Sequence, residues 1–154
     1  MNRVYRILRA AYSKNPPDGE GAYRFGGRWS SRGTRLAYTS SHLSLAIIEY
    51  FVHIDAADPP TDLVVIAVDV PDRVSRIGMS VKQLPENWRQ NPAPVSLARI
   101  GDGFVAGGKA AILTVPSAVV PSEANWLVNP LHPESRNIRV KAAEPFQYDE
   151  RFFR

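Results

Sequence analysis

Residues 63–70 read Leu63-Val64-Val65-Ile66-Ala67-Val68-Asp69-Val70, nearly without a polar break and rich in β-branched side chains. A strand with one wet face alternates apolar and polar residues, so this run predicts a strand covered on both faces. Pro59-Pro60 precedes it and Pro71-Asp72 ends it. The run is too short to span a bilayer, and it carries Asp69.

Working outward from this strand, Arg3 to Leu8 alternates well enough for a second strand, with Val4, Arg6 and Leu8 on one face. Residues 19–33 hold Gly19, Gly21, Gly26, Gly27 and Gly33, a density that predicts a loop turning sharply or approaching a ligand. Leu36 to Thr39 is a short strand. Ser40 or Ser41 then caps a helix running to about Ile54. Downstream, Leu97, Ile100, Gly101, Phe104 and Val105 fall at helical spacing and predict a helix over 95–106, although Gly101 and Gly103 weaken it. Ala110 to Val115 is a further strand. Ile138 to Ala142 alternates with Arg139 and Lys141 as on a half-exposed edge. Many strands and few helices, in no clean βαβ order, predict an α+β fold.

With 154 residues the chain suits one domain over 1–154. Its thirteen prolines, Pro16-Pro17 among them, fall between apolar segments and punctuate that domain. The 44% hydrophobic and 22% charged fractions are those of a soluble globular protein. The N-terminal stretch has no sustained apolar run of the kind a signal peptide needs, so a cytoplasmic location is expected. Without cysteine, disulfides and thiolate metal sites are excluded. The net charge of +4 and a pI near 9.6 suit an anionic ligand. The nineteen Lys and Arg are mostly arginine and dispersed, with no basic block for nucleic acid. They fit a few arginines serving a phosphate-bearing small molecule, beside the alternative of a mildly basic surface.

Three places could carry chemistry. Glu49 lies in Leu45-Ala46-Ile47-Ile48-Glu49-Tyr50-Phe51-Val52, a helix apolar on nearly every side and so expected to be buried. A carboxylate there loses hydration at a cost of several kcal/mol unless it is paired. It is either a structural ion pair, a helix edge reaching solvent, or a group held for reaction. In Gly26-Gly27-Arg28-Trp29, the glycines allow close backbone approach and the planar guanidinium suits a pyrophosphate. A turn with a solvated arginine reads equally from those four residues. Ser117, after Val115-Pro116, could present a hydroxyl at a sheet end, or be an ordinary turn residue; no Gly-x-Ser-x-Gly frame surrounds it. His42, His53 and His132 lack metal-ligand spacing, so no metal is expected. Gly101-Asp102-Gly103 through Gly107-Gly108 is a poor dinucleotide loop because it precedes a strand instead of following one. Asn129-Pro130-Leu131-His132-Pro133 is a rigid loop whose histidine is read as structural.

Taken in order, several pieces resemble the RES domain, named for an arginine, a glutamate and a serine. They are Val4-Tyr5-Arg6, Gly26-Gly27-Arg28-Trp29, Tyr38-Thr39-Ser40, Leu45-Ala46 with Glu49, Val115-Pro116-Ser117, Asn125 to Pro130, and Pro145-Phe146 with Asp149. Arg28, Glu49 and Ser117 correspond to the naming triad, and Arg6 and Tyr38 to further active-site positions. Ser30 stands where asparagine is expected, and Trp126 where tyrosine is commoner. The resemblance implies a split, mostly antiparallel sheet with flanking helices, like that of ADP-ribosyltransferases, around a cleft for NAD. It also implies a toxin paired with an Xre-type helix-turn-helix antitoxin whose C-terminal part blocks the cleft.

On that reading Glu49 stabilises the positive ribose as nicotinamide leaves. Arg6 and Arg28 clamp the phosphates, Tyr38 packs on nicotinamide or ribose, and Ser117 fixes a polar group of the dinucleotide. Phosphorolysis or hydrolysis that drains NAD is the first expectation, and ADP-ribosylation of a protein the second. The competing class is a nucleic-acid-acting or non-catalytic interaction module, though no direct contact with nucleic acid or membrane is expected.

Overall fold

The computed structural model describes residues 1–14 and 18–154, so Pro16-Pro17 lies outside the described residues. The strands are β1 (Asn2–Arg9), β2 (Ala37–Ser40), β3 (Leu63–Val70), β4 (Arg76–Gly78), β5 (Ile112–Pro116), β6 (Ala124–Val128), β7 (Arg139–Val140) and β8 (Glu144–Pro145). They form one sheet in the order β4-β5-β6-β2-β1-β3-β7, with β8 also on β3. Among the described residues, β4 and β5 run parallel and the other strand pairings are antiparallel. The helices are α1 (Glu20–Phe25), α2 (Leu43–Phe51) and α3 (Val95–Gly107). This is the α+β, mostly antiparallel arrangement with flanking helices that the sequence and its resemblance predict.

The sheet has a seam. β1 follows β3 continuously from Asn2↔Val70 to Arg9↔Leu63, and β2 follows β6 along its whole length. Between β1 and β2 the register records a single pair, Tyr5↔Ser40. Two half-sheets thus meet at one point, and each carries its own core on the helix-bearing face. Tyr38, Leu113, Val115 and Leu127 pack with α3. Tyr5, Ile7, Leu63 and Val65 pack with α2 and the C-terminal aromatics. Val4, Leu8, Ile66, Val68 and Val128 fill the opposite face.

Residues 63–70 are the expected strand, and its one acid is accounted for. Asp69 is buried and faces Arg3 across the β1–β3 pair. Arg3 grips it with two hydrogen bonds, Nε to Oδ1 at 2.6 Å and Nη2 to Oδ2 at 3.0 Å, and Lys141 lies 3.6 Å away. The arginine's hydrogen bond lowers the Asp69 pKa despite the opposing pull of burial.

Four expectations need correction. Residues 20–25 are a short helix inside the stretch read as a loop. Glu20 holds Arg24 one turn on and Arg35 across the loop, each at 2.7 Å, while a side chain at Gly21 would meet open space. Neither Ser40 nor Ser41 caps α2: His42 is the N-cap residue and makes no side-chain cap bond. Ser40 is buried within β2, bonded to Asn125, and the Ser41 hydroxyl pairs with the His42 ring. Nor is α2 wholly enclosed, because Leu43 and Ile48 are each 37% exposed and Val52 54%. Apolar cover comes to α2 from the sheet and from the C-terminal aromatics, and these exposed residues lie outside it. The expected edge strand over 138–142 is just Arg139–Val140, although the Lys141 amide still donates to Ala67 O at 2.9 Å. β6, between β2 and β5, has no counterpart in the strands read from periodicity. Among the described residues, no helix is long and apolar enough to cross a membrane.

Candidate active site

Glu49, Ser117, Arg28 and Tyr38 converge on the helix-bearing face beside the seam. Glu49 is on α2 and half-buried, so the carboxylate is less enclosed than the apolar run predicts. Ser117 follows the end of β5 and is 0% exposed. Its hydroxyl donates to Glu49 Oε1 at 2.5 Å and accepts from the amides of Val119 (3.1 Å) and Val120 (3.0 Å). One proton and two lone pairs are then all in use. The role read for Ser117, contact with the dinucleotide, does not fit a buried and saturated hydroxyl. What the geometry gives it is the orientation of Glu49.

Arg28 lies at the tip of a tight turn in which the Gly27 amide donates to Ser30 O at 2.9 Å. Gly26 enters this turn at φ +71°, a left-handed conformation that favours glycine. Arg28 Nη1 donates to Trp88 O at 2.8 Å and Gln90 O at 2.9 Å. Both bonds use the same nitrogen. Burial lowers the Arg28 pKa, and the charge of Glu49, close enough to be felt, works against that shift. No direct Arg28–Glu49 ion pair within 4 Å occurs among the described residues, so the two charges act on each other at longer range.

Tyr38 ties the turn down. Its hydroxyl accepts from the Trp29 amide at 2.9 Å and pairs with the Ser30 hydroxyl at 2.8 Å. A methyl group on Gly27 would come within 2.7 Å of that oxygen. Burial pushes the Tyr38 phenol up, against the pull of the Ser30 hydroxyl and the Trp29 amide. Only the ring of Tyr38, therefore, remains for stacking. Trp29 plugs the core beneath, at 2% exposure.

Arg6 stands apart. Alternation along β1 puts it with Val4 and Leu8 on the face opposite α2. Burial lowers its pKa, with Asp18 and then Tyr38 opposing, so its charge reaches the cluster across the seam. A separate cavity of about 1,030 Å³ is lined by Arg35, Val128, His132, Arg136 and Lys141 among others, but by none of Arg28, Tyr38, Glu49 or Ser117.

Sequence reasoning missed the Trp88 and Gln90 carbonyls, since a backbone acceptor leaves no mark on residue identity. It also treated Ser30 only as a departure, whereas its buried hydroxyl completes the Tyr38 contact. Among the described residues no group of three or more His, Cys, Asp or Glu could hold a metal ion.

Residues 3–149 match the family model described as the RES domain. The chain is 32% identical over 145 residues to the "Prs ADP-ribosylating toxin" of Sphingobium sp. (strain YBL2), covering 93% of this chain and 90% of that protein. It is 32% identical over 150 residues to "Toxin Res" of Yersinia enterocolitica, covering 96% and 97%. With "Toxin Res" of Pseudomonas putida it shares 34% identity over 138 residues, covering 88% and 91%. Among solved structures it is similar to a chain of the M. tuberculosis MbcT–MbcA toxin–antitoxin complex, with a TM-score of 0.75 and 17% identity, covering 94% of this chain and 84% of that one.

Proposed function

Because the chain belongs to the RES-domain family of toxins, we propose that it is the toxin of a bacterial toxin–antitoxin pair and that it cleaves the nicotinamide–ribose bond of NAD. The observation that carries this reading is the Glu49 carboxylate, held by Ser117 at 2.5 Å and within electrostatic range of Arg28 without being paired to it.

The C–N bond breaks with its electron pair going to the nicotinamide nitrogen, which leaves positive charge on the ribose. Glu49 stabilises that charge in a site where water competes less than in bulk. Arg28, anchored through one nitrogen, turns its remaining donors to the pyrophosphate. The Tyr38 ring lies against nicotinamide or ribose, and Arg6 adds positive potential from across the seam. The acceptor oxygen then bonds to the ribose carbon. With water the products are nicotinamide, ADP-ribose and a proton; with phosphate the sugar leaves as ADP-ribose phosphate.

Transfer of ADP-ribose to a protein is the second reading, favoured by the name of the Sphingobium relative. An antitoxin of the Xre helix-turn-helix class that closes the cleft is the proposed partner, supported by the solved toxin–antitoxin complex of like fold.

The test is purified protein with NAD, with and without phosphate, followed by nicotinamide release and identification of the ribosyl product. Release without any added protein acceptor is expected. Release only when a protein substrate is present selects the second reading, and no release from NAD combined with degradation of RNA moves the chain to the nucleic-acid class.

A further inference from the structure

The run Gly101-Asp102-Gly103, a poor dinucleotide loop by sequence, lies inside α3 and has another use. α3 meets the segment between Arg28 and β2 at four places. The Trp29 carbonyl oxygen lies 1.6 Å from where a Cβ on Gly101 would be, so that backbone rests on a bare Cα. The Leu36 side chain is 3.3 Å from the same point. One residue on, Asp102 Oδ1 accepts from the Ser31 amide at 2.9 Å. Against the upward pull of burial, the nearby Ser31 and Thr34 hydroxyls help to hold this carboxylate's pKa down.

We propose that Asp102 is the positioning residue that holds the Arg28 turn in its ligand-binding geometry, with Gly101 as the seat on which that turn rests. The inference depends on the reading of Arg28 given above as the phosphate-binding group. Arg28 is one peptide bond from Trp29, whose carbonyl sits on Gly101 and whose amide is held by Tyr38. Ser31 is three residues from Arg28. A displacement at either place moves the guanidinium away from Trp88 O and Gln90 O.

The acceptor oxygen is needed here, and the negative charge is not. Asp102 lies near enough to raise the Tyr38 pKa through its charge. Its charge therefore also opposes a phosphate arriving at the site. An asparagine keeps an oxygen for the Ser31 amide while removing that repulsion; an alanine loses the oxygen. The two variants should thus behave differently, which a simple loss of fold would not produce.

The experiment measures NAD cleavage by Asp102→Ala and Asp102→Asn well below their melting temperatures, alongside amide hydrogen exchange of the full chain. For Asp102→Ala, KM for NAD should rise about tenfold with kcat changed far less. For Asp102→Asn, KM should stay within about twofold of the parent. The Ser31 amide should exchange at least about tenfold faster in the alanine variant only. An unchanged KM in Asp102→Ala, or an equal rise in both variants, overturns the proposal. If the parent protein neither binds nor cleaves NAD, the functional reading fails by itself. The clamp is then decided by hydrogen exchange and by the Arg28 guanidinium NMR signals, which must shift in Asp102→Ala for it to stand.

Discussion

Glu49 has one hydrogen-bonding partner of note, and that partner has no capacity left for anything else. The pair therefore separates chemistry from positioning. Glu49→Gln keeps the shape and removes the charge, so nicotinamide release should fall about 10²-fold or more, as for loss of an electrostatic stabiliser. A rate within a few-fold of the parent would take the carboxylate out of the reaction. Ser117→Ala should act differently. It leaves the Val119 and Val120 amides without their acceptor and Glu49 without its anchor, costing about 1–3 kcal/mol of stability. Chemical denaturation should show that loss, together with a kcat reduced by less than in Glu49→Gln. At this scale the sequence was informative about residue types and weak about roles. A glutamate in an apolar helix and an arginine after two glycines stand out in the bare string. A serine that turns inward looks the same there as one that turns outward, because neighbours in space and not in sequence decide it.

Elements were legible in proportion to how locally their causes act. The strand over 63–70 follows from its own composition, and α3 from its own periodicity, Gly101 notwithstanding. That glycine is costly to the helix by about 1 kcal/mol relative to alanine, yet alanine is excluded by the Trp29 carbonyl. Gly101→Ala should consequently destabilise the protein, contrary to helix propensity, by about 3 kcal/mol or more, since a backbone atom and not a pliable side-chain tip must move. A stabilised variant in urea denaturation would show that α3 does not bear on the turn. By contrast, α1 is joined through Glu20 to Arg35, fifteen residues away, and lays Ala22 into the core, contacts that glycine density does not show. β6 was missed for a similar reason. Its Asn125 makes no apolar pattern, but the side chain bonds to Thr39 O and Ser40 Oγ on the neighbouring strand.

At the scale of the whole molecule, the α+β class was readable from the mixture of elements and the mostly antiparallel sheet from the resemblance, while the strand order was not legible at all. Pairings such as β2 with β6 join residues nearly ninety apart and leave no periodic trace. The ion pair that links β1 to β3 gives this architecture a predictable acid response. Arg3 lowers the Asp69 pKa in the folded state, so its stabilisation is complete above the unfolded aspartate range near pH 4 and fades as pH falls through the lower native value. Asp69→Asn should melt below the parent at pH 7, and the gap should narrow below about pH 4. A gap independent of pH would mean that the charge contributes nothing.

The helix that carries Glu49 is held down from far along the chain. Phe51 packs against Tyr148, Phe152 and Phe153, and the Tyr148 hydroxyl donates to Ile47 O across 101 residues of sequence. During synthesis on the ribosome, α2 is made long before the aromatics that cover it. A nascent chain that has not reached Phe146 lacks the packing that seats the helix of Glu49.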